Sequence, residues 1–343
     1  MEGNGPSRSA VATLRNPSAG TAVGLAMTAP FSQPLSLRQP SMPAAACLDE
    51  TDFPLPGPAC CLCVITEVEG PSYRPLGAAM TVDAAGMRRG TLSSGCIEAD
   101  VALHAGRALA DGKVRQLRYG RGSRAADLEL PCGGGLQITL FPAPDPRVIA
   151  AARSRLAARE PAFFLIGGSG LIAPDDPLAQ GATAAPSGAG LLAVTLLPRL
   201  RLLILGRGPE PLALFRMARA AGIATRYYSA DPQVPPEALA LSGKGWPAGA
   251  RLDARTAVAL FFHDHDREPP LLAAALDSPA FYVGALGSAR AHAMRVAALA
   301  ETGVAQDRIA RLAQPFGIVP HAREPVAIAA GVLAQVLADA RLG

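Results

Sequence analysis

From about residue 59 the chain is built of short apolar runs broken by Gly and Pro, and their spacing separates two regions. The runs at 60–67, 78–83 and 136–141 are strand-sized and bounded by turn-forming residues, which predicts strands of a small mixed domain. Between 98 and 111, Val101, Leu103, Ala105, Ala108 and Leu109 recur at helical spacing directly after Gly95 and Cys96, so a helix is expected to begin near Cys96. A second helix is expected at 148–159, and the Pro- and Gly-rich stretch 173–190 reads as a loop.

After Pro198 the texture changes to alternation. Strands are predicted at 202–205, 224–229, 257–262 and 281–284, with helices at 210–221 and, alanine-rich, at 325–342. Such alternation predicts a parallel, doubly wound sheet. The fold class is therefore α/β: a Rossmann-like domain over 198–343, a smaller mixed α+β domain over 47–172, and a connecting region over 173–197. Residues 1–46 are rich in Pro, Ser, Ala and Gly without periodicity, and read as a disordered tail or as a start placed upstream of Met27 or Met42.

Composition narrows the classes. Half of the residues are apolar, yet the longest apolar runs, 59–65 and 190–197, are strand-sized, which excludes a helix spanning a membrane. The net charge is only +4, with Lys113 and Lys244 the only lysines. Arg115, Arg118, Arg121 and Arg124, spaced by three, form the nearest thing to a basic patch. Without interleaved aromatics or a nucleic-acid motif they read first as a solvated face and second as a phosphate-binding group, and no nucleic-acid partner is expected.

Six cysteines in so long a chain do not make a disulfide scaffold, and no cleavable signal opens it, so a cytoplasmic location is expected. Cys60 and Cys63 have C-x-x-C spacing, but their run is apolar and strand-like. Cys61 and Cys63 on one face read as small buried hydrophobes.

Three constellations could carry chemistry. Gly206 and Gly208 permit a tight strand-to-helix turn whose first amides face an anion, and Asp231 follows the next strand about 20 residues on, where an acid can meet a ribose hydroxyl. Pro211 stands near the position of a third glycine and is tolerable at a helix start. At the ends of later strands lie His263, Asp264 and His265, then Gly287, Ser288 and Arg290: polar groups, a helix cap and an anion-binding guanidinium at one sheet edge. In the first domain, Ser93-Ser-Gly-Cys96-Ile-Glu98 and Pro131-Cys132-Gly133-Gly-Gly135 each set a cysteine beside glycine. A helix N-terminus favours the thiolate and glycine leaves it accessible, so each thiol reads either as a soft ligand or as a packed side chain. A nucleophile elbow for Ser-His-Asp hydrolysis is not evident.

Taken together, these segments resemble the xanthine dehydrogenase accessory factor family, XdhC/CoxI, over about residues 60–338. The similarity runs through Gly70-Pro-Ser-Tyr-Arg74-Pro-Leu-Gly77-Ala-Ala-Met80, Gly90-Thr-Leu-Ser-Ser-Gly95-Cys96-Ile-Glu98, Cys132-Gly-Gly, Gly206-Arg-Gly-Pro, His263-Asp-His265 and Tyr282-Val-Gly-Ala-Leu-Gly287-Ser288. Tyr73, Ser94 and Ala289 depart from the residues usual there and mark a divergent member. The resemblance implies a cytoplasmic chaperone, not a catalyst of turnover. Such a chaperone binds molybdenum cofactor as molybdopterin or its dinucleotide, supports its sulfuration with a cysteine desulfurase, and delivers it to an apo molybdenum hydroxylase, as a homodimer. It implies Cys96 and Cys132 at the molybdenum end, with Arg74 and Glu98 lining the same inter-domain cleft, and Gly206, Gly208 and Asp231 at the phosphate and nucleotide end. Two other classes stay open: an NAD(P)-dependent oxidoreductase using the second domain, and a metal-binding regulator using His263 and His265.

Overall fold

The computed structural model describes residues 44–123, 130–168, 170–173, 192–231, 233, 236–262 and 267–340. The first half contains two sheets. In one, antiparallel throughout, β4 (Arg88–Gly90), β3 (Ala79–Val82), β2 (Cys61–Glu69), β6 (Gly135–Pro142) and β5 (Arg115–Gly120) lie in that order. In the other the order is β1 (Ala44–Asp49), β9 (Leu192–Leu197), β7 (Ala162–Gly167) and β8 (Gly170–Ile172).

Strand β2 shows why both sheets exist. Its residues alternate between two cores: Cys61, Cys63 and Ile65 face helix α1 (Glu98–Asp111) through Val101, Ala105 and Ala108, whereas Leu62 and Val64 share a core with Phe164, Ile166, Val194 and helix α2 (Pro146–Ala157). A run apolar on every residue is what a strand covered on both faces requires. Cys61 and Cys63 are accordingly buried in this layer, and the Cys61 contact together with burial pushes the Cys63 thiol up, keeping it neutral. Cys60 lies outside the strand, half-buried, so C-x-x-C spacing does not produce a metal-binding pair.

The structure departs from the sequence reading at three places in this half. Leu192–Leu197, the end of the stretch read as a connection, is a strand paired parallel to β1 and antiparallel to β7. Residues 44–46, read as the end of a tail, belong to β1, whose small residues carry no alternation that would betray it. The arginines spaced by three lie on and after β5, an edge strand, and are paired with acids: Arg115 with Asp111 and Arg118 with Glu67 and Glu69. Arg121 reaches Glu69 at 3.9 Å, and Arg124 lies outside the described residues.

The second half is a five-stranded parallel sheet in the order β12 (Leu239–Ala240), β11 (Ala224–Ser229), β10 (Arg201–Gly206), β13 (Thr256–Phe261) and β14 (Tyr282–Ala285). In chain order this is 3-2-1-4-5, so strand order reverses between β10 and β13. Leu203, Leu205, Val258 and Leu260 pack under helices α4 (Glu268–Asp277), α5 (Ala289–Glu301) and α6 (Gln306–Ile309). Leu202, Ile204, Ala257 and Phe261 pack under α3 (Pro209–Ala220) and α7 (Pro325–Asp339). Both faces are covered, as a doubly wound sheet demands.

Ion pairs and hydrogen bonds join the halves at the amino ends of these strands. Arg159 pairs with Asp253 (2.8 Å), Arg255 with Asp49 (3.6 Å) and Arg199 with Glu50 (3.4 Å), and the Arg255 guanidinium also donates to the carbonyls of Pro198 and Ala340. No helix of the described residues is long and apolar enough to cross a membrane.

Candidate functional site

The loop 91–97 is organised by one carboxylate. Glu98, the first residue of α1, turns back so that Oε1 accepts from Thr91 Oγ1 (2.5 Å) and from the backbone N–H groups of Leu92 (2.9 Å) and Ser93 (2.8 Å). Its Oε2 accepts from Ser93 Oγ (2.8 Å) and from the N–H groups of Gly95 (2.9 Å) and Ile97 (3.2 Å). Burial opposes a charge here, but the hydrogen bonds from Thr91, Ser93 and Leu92 outweigh it and hold the carboxyl at about 2. The acid sits in the positive field of the helix N-terminus and takes up the amides of the loop that precedes it.

Glu98 is therefore a residue that shapes the loop: its side chain is buried, and it does not line an open cleft as the sequence reading had it. What the loop presents is Cys96. Ser94 and Gly95 both adopt positive φ (63° and 116°), and the Cys96 beyond them is exposed.

Cys132 is placed by backbone contact. A Cβ on Gly134 would stand 2.0 Å from the carbonyl oxygen of Pro71, so only glycine lets the 131–135 loop lie against the loop that carries Arg74. Gly133, at φ 69°, completes the turn by donating to the Leu130 carbonyl (2.8 Å). The half-buried Cys132 packs on the same core that Leu92 and Ile97 enter from the Cys96 loop. Arg74 pairs through Nη2 with Asp52, a partner the sequence did not mark, while its Nε is buried with no hydrogen-bond partner among the described residues. The first half thus assembles Arg74 and Cys132 on adjoining loops, with Cys96 bordering the same core. Among the described residues no group of three or more His, Cys, Asp or Glu side chains could hold a metal by itself.

In the second half the predicted residues fall at the carboxyl ends of the strands. Gly206 pairs in register with Ser229 and Phe261, and a Cβ there would lie 2.3 Å from the Phe261 carbonyl oxygen. Gly208 (φ 107°) is the N-cap of α3. The amides above it are fewer than a phosphate-binding turn usually offers. Pro209 and Pro211 occupy the first and third helical positions, neither with an N–H, and the Glu210 carboxylate stands between them. Exposed Arg207, between the two glycines, is the cation at this turn. Sequence reading passed over it, and its place between the glycines was the available signal.

Asp231 is half-buried and accepts from the Gln233 N–H (2.9 Å), shaping its own turn. Ser288 caps α5 by accepting from the Ala291 N–H (3.2 Å), and Arg290 is exposed in the first turn of that helix. Gly287 gives room to Arg295, which pairs with the buried Glu268 and donates to the Leu286 carbonyl (2.8 Å), fixing the turn. His263, Asp264 and His265 lie outside the described residues.

The carboxyl edge and the Cys96 loop are not joined: among the described residues no hydrogen bond or ion pair links them. The halves meet instead at the amino edge, about 17 Å away along strands of this length.

Comparison with known proteins gives these elements a context. Residues 202–336 match the family model described as the XdhC Rossmann domain, and residues 56–120 match that of the XdhC and CoxI family. The chain is 36% identical over 286 residues to the molybdenum cofactor insertion chaperone PaoD of Escherichia coli (strain K12), covering 82% of this chain and 83% of that protein. A crystal structure described as a xanthine dehydrogenase from Bacillus halodurans has a TM-score of 0.67 at 22% identity, over 83% of this chain and 92% of that one, which is a likeness of fold.

Proposed function

The chain belongs to the XdhC and CoxI family, and from that premise we propose that it is a chaperone for molybdenum cofactor rather than a catalyst of turnover. The observation that carries the reading is the exposed Cys96 thiol, held at the tip of a loop that Glu98 makes rigid from within. When bound, the cofactor supplies a soft, sulfur-coordinated metal, the kind of centre a thiolate suits.

Cys96, with Cys132 on the neighbouring loop, would attend the metal end. The Nε of Arg74, buried and without a hydrogen-bond partner among the described residues, leaves a donor for an oxyanion or pterin oxygen. The residues fit less well at the other end. With amides missing at Pro209 and Pro211, the phosphate and nucleotide end would be met at the carboxyl edge by Arg207 and Arg290, with Gly206 and Gly208 allowing close approach, Gly287 and Ser288 shaping the facing turn, and Asp231 at a ribose. His263 and Asp264 would wall the same edge.

The finer readings follow from family membership and are part of the proposal. The cofactor is molybdopterin or its dinucleotide, its sulfuration involves a cysteine desulfurase, the recipient is an apo molybdenum hydroxylase, and the chaperone works in the cytoplasm as a homodimer. Loss of two amides at the glycine turn weighs against an NAD(P)-dependent oxidoreductase, which depends on that turn for its pyrophosphate.

Purification from cells that make molybdenum cofactor tests this directly. Molybdenum and oxidised-pterin fluorescence are expected to copurify in proportion to the protein, and stoichiometric nicotinamide without either would sink the chaperone reading. Cys96→Ala is expected to lower cofactor retention at least severalfold while leaving stability within about 0.5 kcal/mol, since the side chain is exposed. Retention equal to wild type would remove Cys96 from the site.

A further inference from the structure

At the end of the second sheet opposite Gly206 there is an open groove of about 500 Å³, with Arg199, Arg201, Arg219 and Arg226 among its lining residues. It lies between the end of α3, the turn at Gly222 and Ile223, and the starts of β10 and β11. None of the residues that the sequence motifs single out takes part in it.

Its charge is not balanced. Around it stand five guanidinium groups, Arg159 included, and the carboxylates that reach them are Glu50, on Arg199 at 3.4 Å, and Asp253, on Arg159 at 2.8 Å and Arg201 at 3.9 Å. Among the described residues Arg226, which is exposed, has no acidic partner, and Arg219 lies over the Phe215 ring at 5.7 Å. Burial, with the neighbouring Arg159 and Arg226 charges, makes Arg201 harder to keep protonated, while Asp253 works the other way. The carboxyl end of α3 contributes only about half a negative charge, and the turn already satisfies its last carbonyls through the N–H groups of Ala221, Gly222 and Ile223. Cations converge here beyond what the fold uses.

We propose that this groove is a binding site for a phosphate-bearing small anion of the polyphosphate class. Guanidinium forks match phosphate oxygens, and the volume lies in the range of small-ligand sites. Among the described residues no aromatic side chain lines the groove, so the ligand is held by its charge and not by stacking of a base. The site stands apart from the cofactor reading above, which concerns the other edge of the sheet and the first-half loops.

Titration calorimetry of the full chain with inorganic pyrophosphate at low ionic strength tests it. A site in this groove is expected, separate from any phosphate held at the carboxyl edge; it is weakened as salt is added, and weakened at least tenfold by Arg226→Glu, since a charged contact is both lost and reversed. Thermal unfolding checks that the variant folds, and Arg199→Ala, at an exposed position, gives an independent weakening. Arg207→Ala, at the far edge, acts on the phosphate end of the cofactor site, and the binding that Arg226→Glu weakens is expected to persist in it. Absence of binding overturns the proposal. So does binding that survives Arg226→Glu but is lost in Arg207→Ala, which would put the anion at the carboxyl edge. Tighter binding of a poly-glutamate peptide than of pyrophosphate would also overturn it, in favour of an acidic protein partner.

Discussion

Helices α1 and α3 begin in the same way, with a glycine-bearing turn that leaves a strand or loop and runs into a helical first turn, yet the amides around the two turns are used differently. At α1 the amides of the preceding loop are present and consumed: Leu92, Ser93, Gly95 and Ile97, all before the helix begins, give their N–H groups to Glu98. At α3 two of the first three helical amides are missing, because Pro209 and Pro211 have none to give. Neither turn is a ready anion cradle. A glycine-rich turn before a helix is a geometry, and whether it binds an anion depends on counting the donors left over.

The comparison can be broken most forcefully at Glu98. Removing its carboxylate in Glu98→Ala leaves buried donors without an acceptor, and we expect a loss of about 3 kcal/mol in urea unfolding together with a loosened Cys96 loop. The effect carries a pH signature. The folded-state value is about 2, below the ordinary 4.5, so the stabilisation is full above about pH 5 and is lost as pH falls toward 2. Glu98→Gln is expected to be less stable than wild type near neutrality, with the gap closing through that window. A gap that stays constant from pH 6 to about 2 would mean that the charge of Glu98 is not what holds the loop.

The glycines sharpen the contrast at a smaller scale. Gly206 and Gly95 both hold φ values that disfavour other residues, 149° and 116°, but a Cβ at Gly206 would strike the Phe261 carbonyl, whereas at Gly95 it would meet nothing within 4 Å. Gly206→Ala is expected to cost about 2–3 kcal/mol and Gly95→Ala about 1 kcal/mol, read as shifts in the urea midpoint at unchanged slope. Equal costs would show that backbone strain alone, and not the approach of β13, sets the requirement at Gly206.

How far the sequence could be read follows the same division between geometry and occupancy. The doubly wound half is legible because β10, β11, β13 and β14 are bounded runs separated by turn chemistry, and Gly206 and Ser288 announce the helices after them. Helix α4 escapes because Glu268–Asp277 is apolar nearly all round, which gives no amphipathic period, and its burial in the sheet's core explains that composition. Strand β5 is disguised by arginines whose spacing of three suggests a solvated ladder, while the buried Tyr119 and half-buried Leu117 mark the alternation that decides it. The β1–β9 pairing joins segments about 150 residues apart, and local pattern carries no trace of such a contact. In the site, Cys96, Cys132 and their glycines can be read from the chain. That Glu98 would satisfy the loop from within, or Asp52 pair with Arg74, depends on where the chain returns in space.

The smallest expected effect asks what the prolines at α3 are for. Pro209→Ala restores one amide at the start of the helix without filling space, and Pro is already tolerated there, so stability is expected to change by less than about 1 kcal/mol. If the carboxyl edge holds the phosphate end of a ligand mainly through Arg207 and Arg290, the added donor adds a hydrogen bond worth about 1 kcal/mol net, a gain of roughly fivefold in affinity. Measured with inorganic pyrophosphate in the Arg226→Glu background, where the groove at the opposite edge binds at least tenfold more weakly, that gain reports on the carboxyl edge. No gain, with Arg207→Ala also without effect, would mean that the turn at Gly206 holds no phosphate. The turn at Gly206 would then be closed to anions by its prolines, as the amides of the Cys96 loop are closed by the Glu98 carboxylate.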